Sequence, residues 1–422
     1  MLKFLILIFL FLAQVEDDMS LNSTPNSERF TIGLFGNINA GKSSLINALI
    51  GEKISIVSSS PGTTTDPVSK AMEMLPIGPI LFIDTPGIDD SGELGSKRVL
   101  SAKKSLRRCD LVIFVIDIDT MDDRKDIDSD FLDMIHNENI PVIIVYNKSD
   151  KSSYEKFELK DNNKYSFPVV FTDAVSGKGI SELKSLIISS WKKYYKESTT
   201  RLTAGIVKPG DLAILVTPID ESAPKGRLIL PQQITIREIL DIGASALVTK
   251  ETELNSSLKL LSRSPDIVIA DSKVFKEVSS IIPKDVPLTS FSILFARIKG
   301  DLDLYINGIN AIKSLTKGDK VLISEACTHK RQCNDIGKVK IPQLLSKITD
   351  DLDLKWTNGR DFDDDLSSYK LIIHCGACML NRREMQARIK VAKNHNVPIT
   401  NYGILLAYMS GILPRAIEPF FT

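Results

Sequence analysis

The stretch Arg29-Phe30-Thr31-Ile32-Gly33-Leu34-Phe35-Gly36-Asn37-Ile38-Asn39-Ala40-Gly41-Lys42-Ser43-Ser44-Leu45-Ile46-Asn47-Ala48-Leu49-Ile50 decides the fold of the N-terminal half. Residues 29–35 read as a strand, residues 44–50 are apolar at helical spacing, and the segment between them ends in Gly-Lys-Ser. Gly36 and Gly41 let backbone N–H groups wrap a phosphate at a helix N-terminus, where peptide dipoles already favour an anion. Lys42 adds charge toward the β- and γ-phosphates, and the Ser43 hydroxyl, with Ser44 beside it, is placed to ligate Mg²⁺. The bare pattern arises by chance in about one chain in a hundred of this length. The strand and helix that flank it make it specific.

Further segments follow in the order a nucleotide switch requires. Ile80-Leu81-Phe82-Ile83 reads as a buried strand ending in Asp84-Thr85-Pro86-Gly87, where Asp84 holds the Mg²⁺ shell and the Gly87 N–H senses the γ-phosphate. Upstream lies Pro61-Gly62-Thr63-Thr64-Thr65-Asp66, whose Thr64 completes the metal site. The strand Val142-Ile143-Ile144-Val145-Tyr146 delivers Asn147-Lys148-Ser149-Asp150. A carboxylate at Asp150 accepts two N–H bonds from guanine that adenine does not offer, so the expected nucleotide is GTP and the expected reaction its hydrolysis.

These elements resemble the TrmE–Era class of translation-factor-like GTPases over roughly residues 29–196. The resemblance implies that Asn39 coordinates an activating K⁺ beside the phosphates. Ile88 stands where Ras-like proteins carry a water-positioning Gln, which implies that water is positioned otherwise. In the last guanine loop the usual Ser-Ala is Asp173-Ala174, with Ala174 expected to meet the base through its backbone.

The whole chain has 422 residues, long enough for two to four domains at about 150 residues each. Its 53 basic and 53 acidic residues cancel, so nothing in the net charge favours nucleic acid or an anionic membrane. A composition 43% apolar and 25% charged excludes wholesale disorder and a multispan membrane protein. The apolar run Phe4 to Ala13 is too short for a stable bilayer span, which needs about 20 residues. Residues 1–18 read either as a mis-assigned start before Met19 or as a sorting peptide, and the expected location is the cytoplasm.

From about residue 199 the texture changes to a small α/β module, with Leu212-Ala213-Ile214-Leu215-Val216, a helical pattern from Ile234 to Leu240 that stops at Gly243, and the short strand Ala246-Leu247-Val248. The run Ser222-Ala223-Pro224-Lys225-Gly226-Arg227 reads as a surface loop. Beyond residue 266, Asp266-Ile267-Val268-Ile269, Val321-Leu322-Ile323-Ser324, Leu371-Ile372-Ile373 and Val397-Pro398-Ile399-Thr400 alternate with helices, which predicts a doubly wound parallel sheet. The expected division is therefore an extension over 1–28, a P-loop GTPase domain over 29–198, a dimerisation module over 199–265 and a metal-binding α/β domain over 266–422.

Two of these strand ends carry the thiols. Cys327-Thr328-His329 follows one, and His374-Cys375-Gly376-Ala377-Cys378 follows the other after 44 intervening residues. In doubly wound sheets ligands gather at the carboxyl ends of strands, and thiolates with imidazole select Zn²⁺ or an iron–sulfur cluster. A disulfide is disfavoured because a GTPase works in a reducing compartment. Cys333 reads as a spare thiol, Cys109 and His395 as structural, and Gly376 as a point where backbone nears the centre.

With this motif the chain resembles, from about Arg29 to its end, the family of [FeFe]-hydrogenase maturation GTPases (HydF). Ile77-Gly78-Pro79, Ala223-Pro224-Lys225-Gly226-Arg227, Asp335-Ile336-Gly337-Lys338-Val339-Lys340-Ile341-Pro342 and Thr400-Asn401-Tyr402-Gly403 add to the match. The resemblance implies a scaffold or carrier, a homodimer, that binds a [4Fe–4S] cluster through Cys327, Cys375 and Cys378. Such a protein receives a two-iron precursor assembled with radical-SAM maturases and delivers it to apo-hydrogenase. His329 and His374 both remain open as the group beside the fourth iron. The alternative is an RNA-modification or ribosome-assembly GTPase with a structural zinc site, against which stands the zero net charge.

Overall fold

The computed structural model describes residues 24–51, 59–60, 68–87, 101–118, 125–149, 165–194, 201–219, 228–326, 335–359, 361–362 and 365–421. They fall into two compact units, Met1–Thr199 and Thr200–Thr422. No helix of the described residues is long and apolar enough to cross a membrane.

The first unit is a seven-stranded sheet in the order β2-β3-β4-β1-β5-β6-β7. Its strands are β1 (Phe30–Gly36), β2 (Ser59–Ser60), β3 (Val68–Met74), β4 (Gly78–Asp84), β5 (Leu111–Asp117), β6 (Val142–Asn147) and β7 (Val169–Phe171). β3 runs antiparallel to β2 and β4, and the remaining pairs are parallel. Central strands of such a sheet are covered on both faces, so they read as unbroken apolar runs. Ile113 and Val115 of β5 pack with Leu45, Leu49, Leu183 and Ile187, which lie on α1 (Lys42–Ile50) and α3 (Ile180–Tyr194). Val112 and Phe114 pack on the opposite face with Phe131 and Ile135 of α2 (Lys125–Asn137).

The second unit holds two four-stranded sheets, all parallel. One has the order β11-β10-β8-β9, built from β8 (Leu212–Val216), β9 (Ser245–Thr249), β10 (Ile267–Ala270) and β11 (Leu288–Ser290). The other has the order β13-β12-β14-β15, built from β12 (Lys320–Glu325), β13 (Asp353–Asn358), β14 (Leu371–His374) and β15 (Ile399–Asn401). The strand at 267–270, expected in the C-terminal sheet, therefore belongs to the middle one, where Ala270 pairs with Val216. Four consecutive β-branched or apolar residues fit either sheet, and pairing decides between them. The helix expected at 234–240 is α4 (Leu230–Ile242), closed by Gly243 at φ +84°.

The two sheets are copies of one module. Each begins with a Gly-Asp turn in which the aspartate accepts a backbone N–H three residues upstream, Lys208 N to Asp211 Oδ2 and Thr316 N to Asp319 Oδ2, both at 2.7 Å. The third strand leaves by the same bond, Asp271 N to Val216 O (3.0 Å) and Cys375 N to Ser324 O (2.9 Å). The fourth strand reads Val286-Pro287-Leu288-Thr289-Ser290 in one and Val397-Pro398-Ile399-Thr400-Asn401 in the other. Each runs directly into a helix capped by its last residue: Ser290 caps α7 (Phe291–Lys299) and Asn401 caps α11 (Tyr402–Met409). The copies are joined by α8 (Leu302–Ile312) and share one apolar cluster, while the other face of the first sheet packs in a second.

Candidate functional site

The first site is a cleft of about 560 Å³ lined by Ile38, Asn39, Gly41, Lys42, Ser43, Ser44, Val68, Asp84, Thr85, Pro86, Gly87 and Lys148. Its floor is the turn between β1 and α1. Gly41 has φ +90° and a Cβ there would meet Asn147 Nδ2 at 2.2 Å; Gly36 has φ +134° and would meet Val115 O at 2.0 Å. Both positions admit glycine alone. Lys42 is buried, and its ammonium donates to Gly36 O (3.0 Å) and Asn37 O (2.8 Å), so the loop curls around its own cation. Ser43 Oγ donates to Asp84 Oδ2, which brings the hydroxyl and carboxylate expected around Mg²⁺ into contact. Thr85 Oγ1 donates to Leu34 O (2.5 Å) and anchors the Pro86-Gly87 turn to β1.

At the base end, Lys148 sits at φ +63° with its ammonium 2.5 Å from Asp117 Oδ2. Asn147, expected among the nucleotide-binding residues, also makes bonds within the protein. It is 2% exposed: Nδ2 donates to Ala40 O (2.9 Å), while Oδ1 accepts from Thr172 Oγ1 (3.2 Å) and Ala174 N (3.3 Å). Its amide thus ties the phosphate loop to the last guanine loop. Asp173, standing where serine is usual, accepts from Val175 N and Ser176 N, both at 2.9 Å, and so caps the turn that presents Ala174. Thr64 and Asp150 lie outside the described residues.

The second site is at the carboxyl ends of β12 and β14, where the connections of the C-terminal sheet diverge to its two sides. Cys375 Sγ accepts from Ala326 N (3.1 Å), which holds the sulfur against the end of β12. The loop then turns at Ala377, φ +54°, and Cys378 follows. Burial, reinforced by the neighbouring Cys375, pushes the Cys378 thiol up to about 11, with Lys299 pulling the other way. Glu325 is also raised, first by burial and then by Asp335, and it accepts from Tyr402 OH (3.2 Å).

His374 is not poised as a ligand. It is fully buried; Nδ1 meets Cys375 O at 2.8 Å, and Nε2 meets Arg388 Nη1 at 3.1 Å. A guanidinium only donates, so Nε2 must accept and has no lone pair left for a metal. Arg388 is fixed in turn by Ser324 Oγ (3.3 Å), Gly359 O (2.8 Å) and the Phe362 ring, 5.0 Å away. The expectation that His374 serves the metal is therefore corrected to a structural role behind Cys375. Cys327 and His329, with Cys333, lie outside the described residues, among which no three His, Cys, Asp or Glu side chains form a metal site. Cys375 and Cys378 remain suited to a soft metal by donor chemistry and by their place at the strand ends. A Cβ added at Gly376 would have no described atom within 4 Å beyond its chain neighbours.

Cys109 and His395 are structural as expected. Cys109 Sγ donates to Ser105 O (3.2 Å) behind Gly33, and His395 Nδ1 meets Val391 O (2.9 Å) on its own helix. Asp117, Arg388 and Lys299 were not anticipated. Asp117 closes a legible strand, whereas no local pattern marks the other two.

Three family models match the chain: the hydrogen maturase F tetramerization domain over residues 303–419, the hydrogen maturase F dimerization domain over 202–300, and a 50S ribosome-binding GTPase over 31–148. The chain belongs to the hydrogen maturase F (HydF) family. Its HydF dimerization segment coincides with the first copy of the βα module and its tetramerization segment with the second, so both copies serve oligomerisation. Its first unit is a GTPase domain, the type that takes GTP with Mg²⁺. Curated relatives cover that unit: GTPase Der of Helicobacter hepaticus is 33% identical over 194 residues, 43% of this chain and 39% of that protein. GTPase Era of Caldicellulosiruptor saccharolyticus is 30% identical over 235 residues, 52% of this chain and 77% of that protein. The chain spans about two fifths of the length of the Der relatives it matches. The crystallised G domain of the T. maritima FeoB iron transporter is 27% identical, with 39% of this chain and 99% of that one covered and a TM-score of 0.31.

Proposed function

We propose that this HydF-family chain hydrolyses GTP and carries an iron–sulfur centre whose cargo, a two-iron subcluster precursor, is passed to apo [FeFe]-hydrogenase. The observation that carries the reading is the coincidence of the hydrogen maturase F match over 303–419 with a Cys375-x-x-Cys378 loop at the diverging strand ends of that same module. Radical-SAM maturases supply the cargo, and the homodimer is the working scaffold.

In the GTPase domain, backbone N–H groups from Gly36 to Ser44 cradle the phosphates and Lys42 offsets their charge. Ser43, Thr64 and Asp84 hold Mg²⁺, and the Gly87 N–H reads the γ-phosphate. Asp150 selects guanine while Lys148, pinned by Asp117, flanks it; Asn147 and Ala174 act by fixing the loops. Asn39 coordinates K⁺ in place of an arginine finger, so replacing K⁺ by Na⁺ lowers GTP turnover, and Asn39→Ala abolishes that dependence. A wild type indifferent to the cation removes this role from Asn39.

In the C-terminal module Cys327, Cys375 and Cys378 would hold a [4Fe–4S] cluster, with His329 the histidine left as a candidate further ligand. When bound, such a cluster supplies electron transfer and one iron with an exchangeable ligand. Around it, Ala326 N steadies the Cys375 sulfur and the His374–Arg388 pair fixes the strand end beneath. The test is to mix cluster- and cargo-loaded protein with apo-hydrogenase lacking its two-iron subcluster. H₂ evolution is expected; none, beside an active holo-hydrogenase control, overturns the reading.

A further inference from the structure

Lys299 is the last residue of α7 in the first copy of the module, yet its ammonium lies in the second. It is 3% exposed and donates to Leu380 O (2.8 Å), Cys378 O (3.3 Å) and Ala377 O (3.5 Å). An ammonium has three protons, and the loop offers three carbonyls. Those carbonyls converge where Ala377 takes a left-handed φ of +54°, a conformation unfavourable for a non-glycine residue unless its surroundings hold it. The stem lies with Nζ 5.3 Å from the centre of the Phe295 ring, which favours a cation. From the other side, Gln386 Nε2 donates to Lys299 O (3.1 Å) and Gly300 O (2.8 Å), locking α7 to α10 (Arg382–Asn394). At the matching position of the second copy stands Ser410, so the lysine is not a requirement of the module itself.

A lysine is costly to bury unless polar groups of the protein replace its water. The carbonyl dipoles of Ala377, Cys378 and Leu380 meet its protons, and the ammonium thereby lies against the backbone of the Cys375–Cys378 loop. Thiolate-bound iron–sulfur centres are anionic, and nearby charge and hydrogen bonding set their potentials.

We propose that Lys299 is a positioning residue: it clamps the Cys375–Cys378 loop and, by its buried charge, raises the reduction potential of the centre held there. The first copy of the module, matched as the dimerization domain, thereby reaches the metal site of the second. The inference rests on the iron–sulfur reading above.

The experiment uses full-length protein, reconstituted anaerobically with iron and sulfide, as wild type, Lys299→Gln and Lys299→Arg. Glutamine keeps two donors and removes the charge; arginine keeps the charge. Iron retention and the midpoint potential, followed by EPR, are measured beside GTP turnover, which reports an intact first unit. Lys299→Gln is expected to lower the potential by at least a tenfold change in the redox ratio, about 59 mV for one electron, and to lose iron faster on dilution. Lys299→Arg is expected to restore the potential toward wild type. A Gln variant with wild-type potential and retention, or an Arg variant that behaves like Gln, overturns the proposal. A wild type that takes up no sulfide instead overturns the iron–sulfur reading on which it rests.

Discussion

Asn147 joins Ala40 O of the phosphate loop, through one amide N–H, to Thr172 and Ala174, through its amide oxygen. Asn147→Ala leaves a buried carbonyl unsatisfied, at about 1–3 kcal/mol. It should weaken GDP binding roughly tenfold or more, since about 1.4 kcal/mol is a factor of ten. Fluorescent GDP titration checks this, and an unchanged affinity would mean the loops hold themselves. Cys378 offers a second check. A thiol pushed from the ordinary cysteine range up to about 11 carries roughly a hundredfold less thiolate at neutral pH. In apo-protein Cys378 should therefore alkylate at least that much more slowly than a solvent-exposed thiol, with the rate still climbing between pH 8 and 10; a plateau in that range would contradict the raised value. Sequence named Lys42, Ser43, Asp84, Cys375 and Cys378 because the spacing of each in its motif is local. It held His374 open as a ligand, because a histidine beside two cysteines looks like one until its partner Arg388, fourteen residues on, is seen. Lys299 could not be read at all, since its function depends on a loop about eighty residues away.

Among the elements, the apolar runs of β1, β4, β6, β12 and β14 were legible, because strands covered on both faces are apolar throughout. Which sheet β10 joins was not, because pairing is a long-range choice that no local residue announces. The duplication did leave a trace in Val286-Pro287-Leu288-Thr289-Ser290 against Val397-Pro398-Ile399-Thr400-Asn401. Two repeats this short are easily passed over beside a strong motif. One close contact between elements is decisive for stability. At Gly308, α8 lies so near β15 that a Cβ would meet Ile399 O at 2.1 Å and Ile399 C at 2.7 Å, both backbone atoms. Gly308→Ala should destabilise the second unit by about 1–3 kcal/mol, whereas Gly376→Ala, with open space around it, should cost far less. Denaturant unfolding monitored by tryptophan emission, with Trp356 in this unit, distinguishes the two; equal stabilities would show that α8 shifts freely.

For the whole molecule, a neutral charge and five cysteines describe an ordinary chain, and only their placement separates a nucleotide unit from a thiol-bearing one. Because the GTP cleft and the thiol loop belong to different units, Cys375→Ser should abolish cluster binding while GTP turnover stays within about twofold of wild type. Loss of both together would show that the first unit depends on the second. The central claim, an iron–sulfur centre on a HydF-type GTPase, is met most directly by metal and sulfide analysis of anaerobically prepared wild-type protein. The account predicts about four iron and four sulfide per chain; stoichiometric zinc with no sulfide would contradict it.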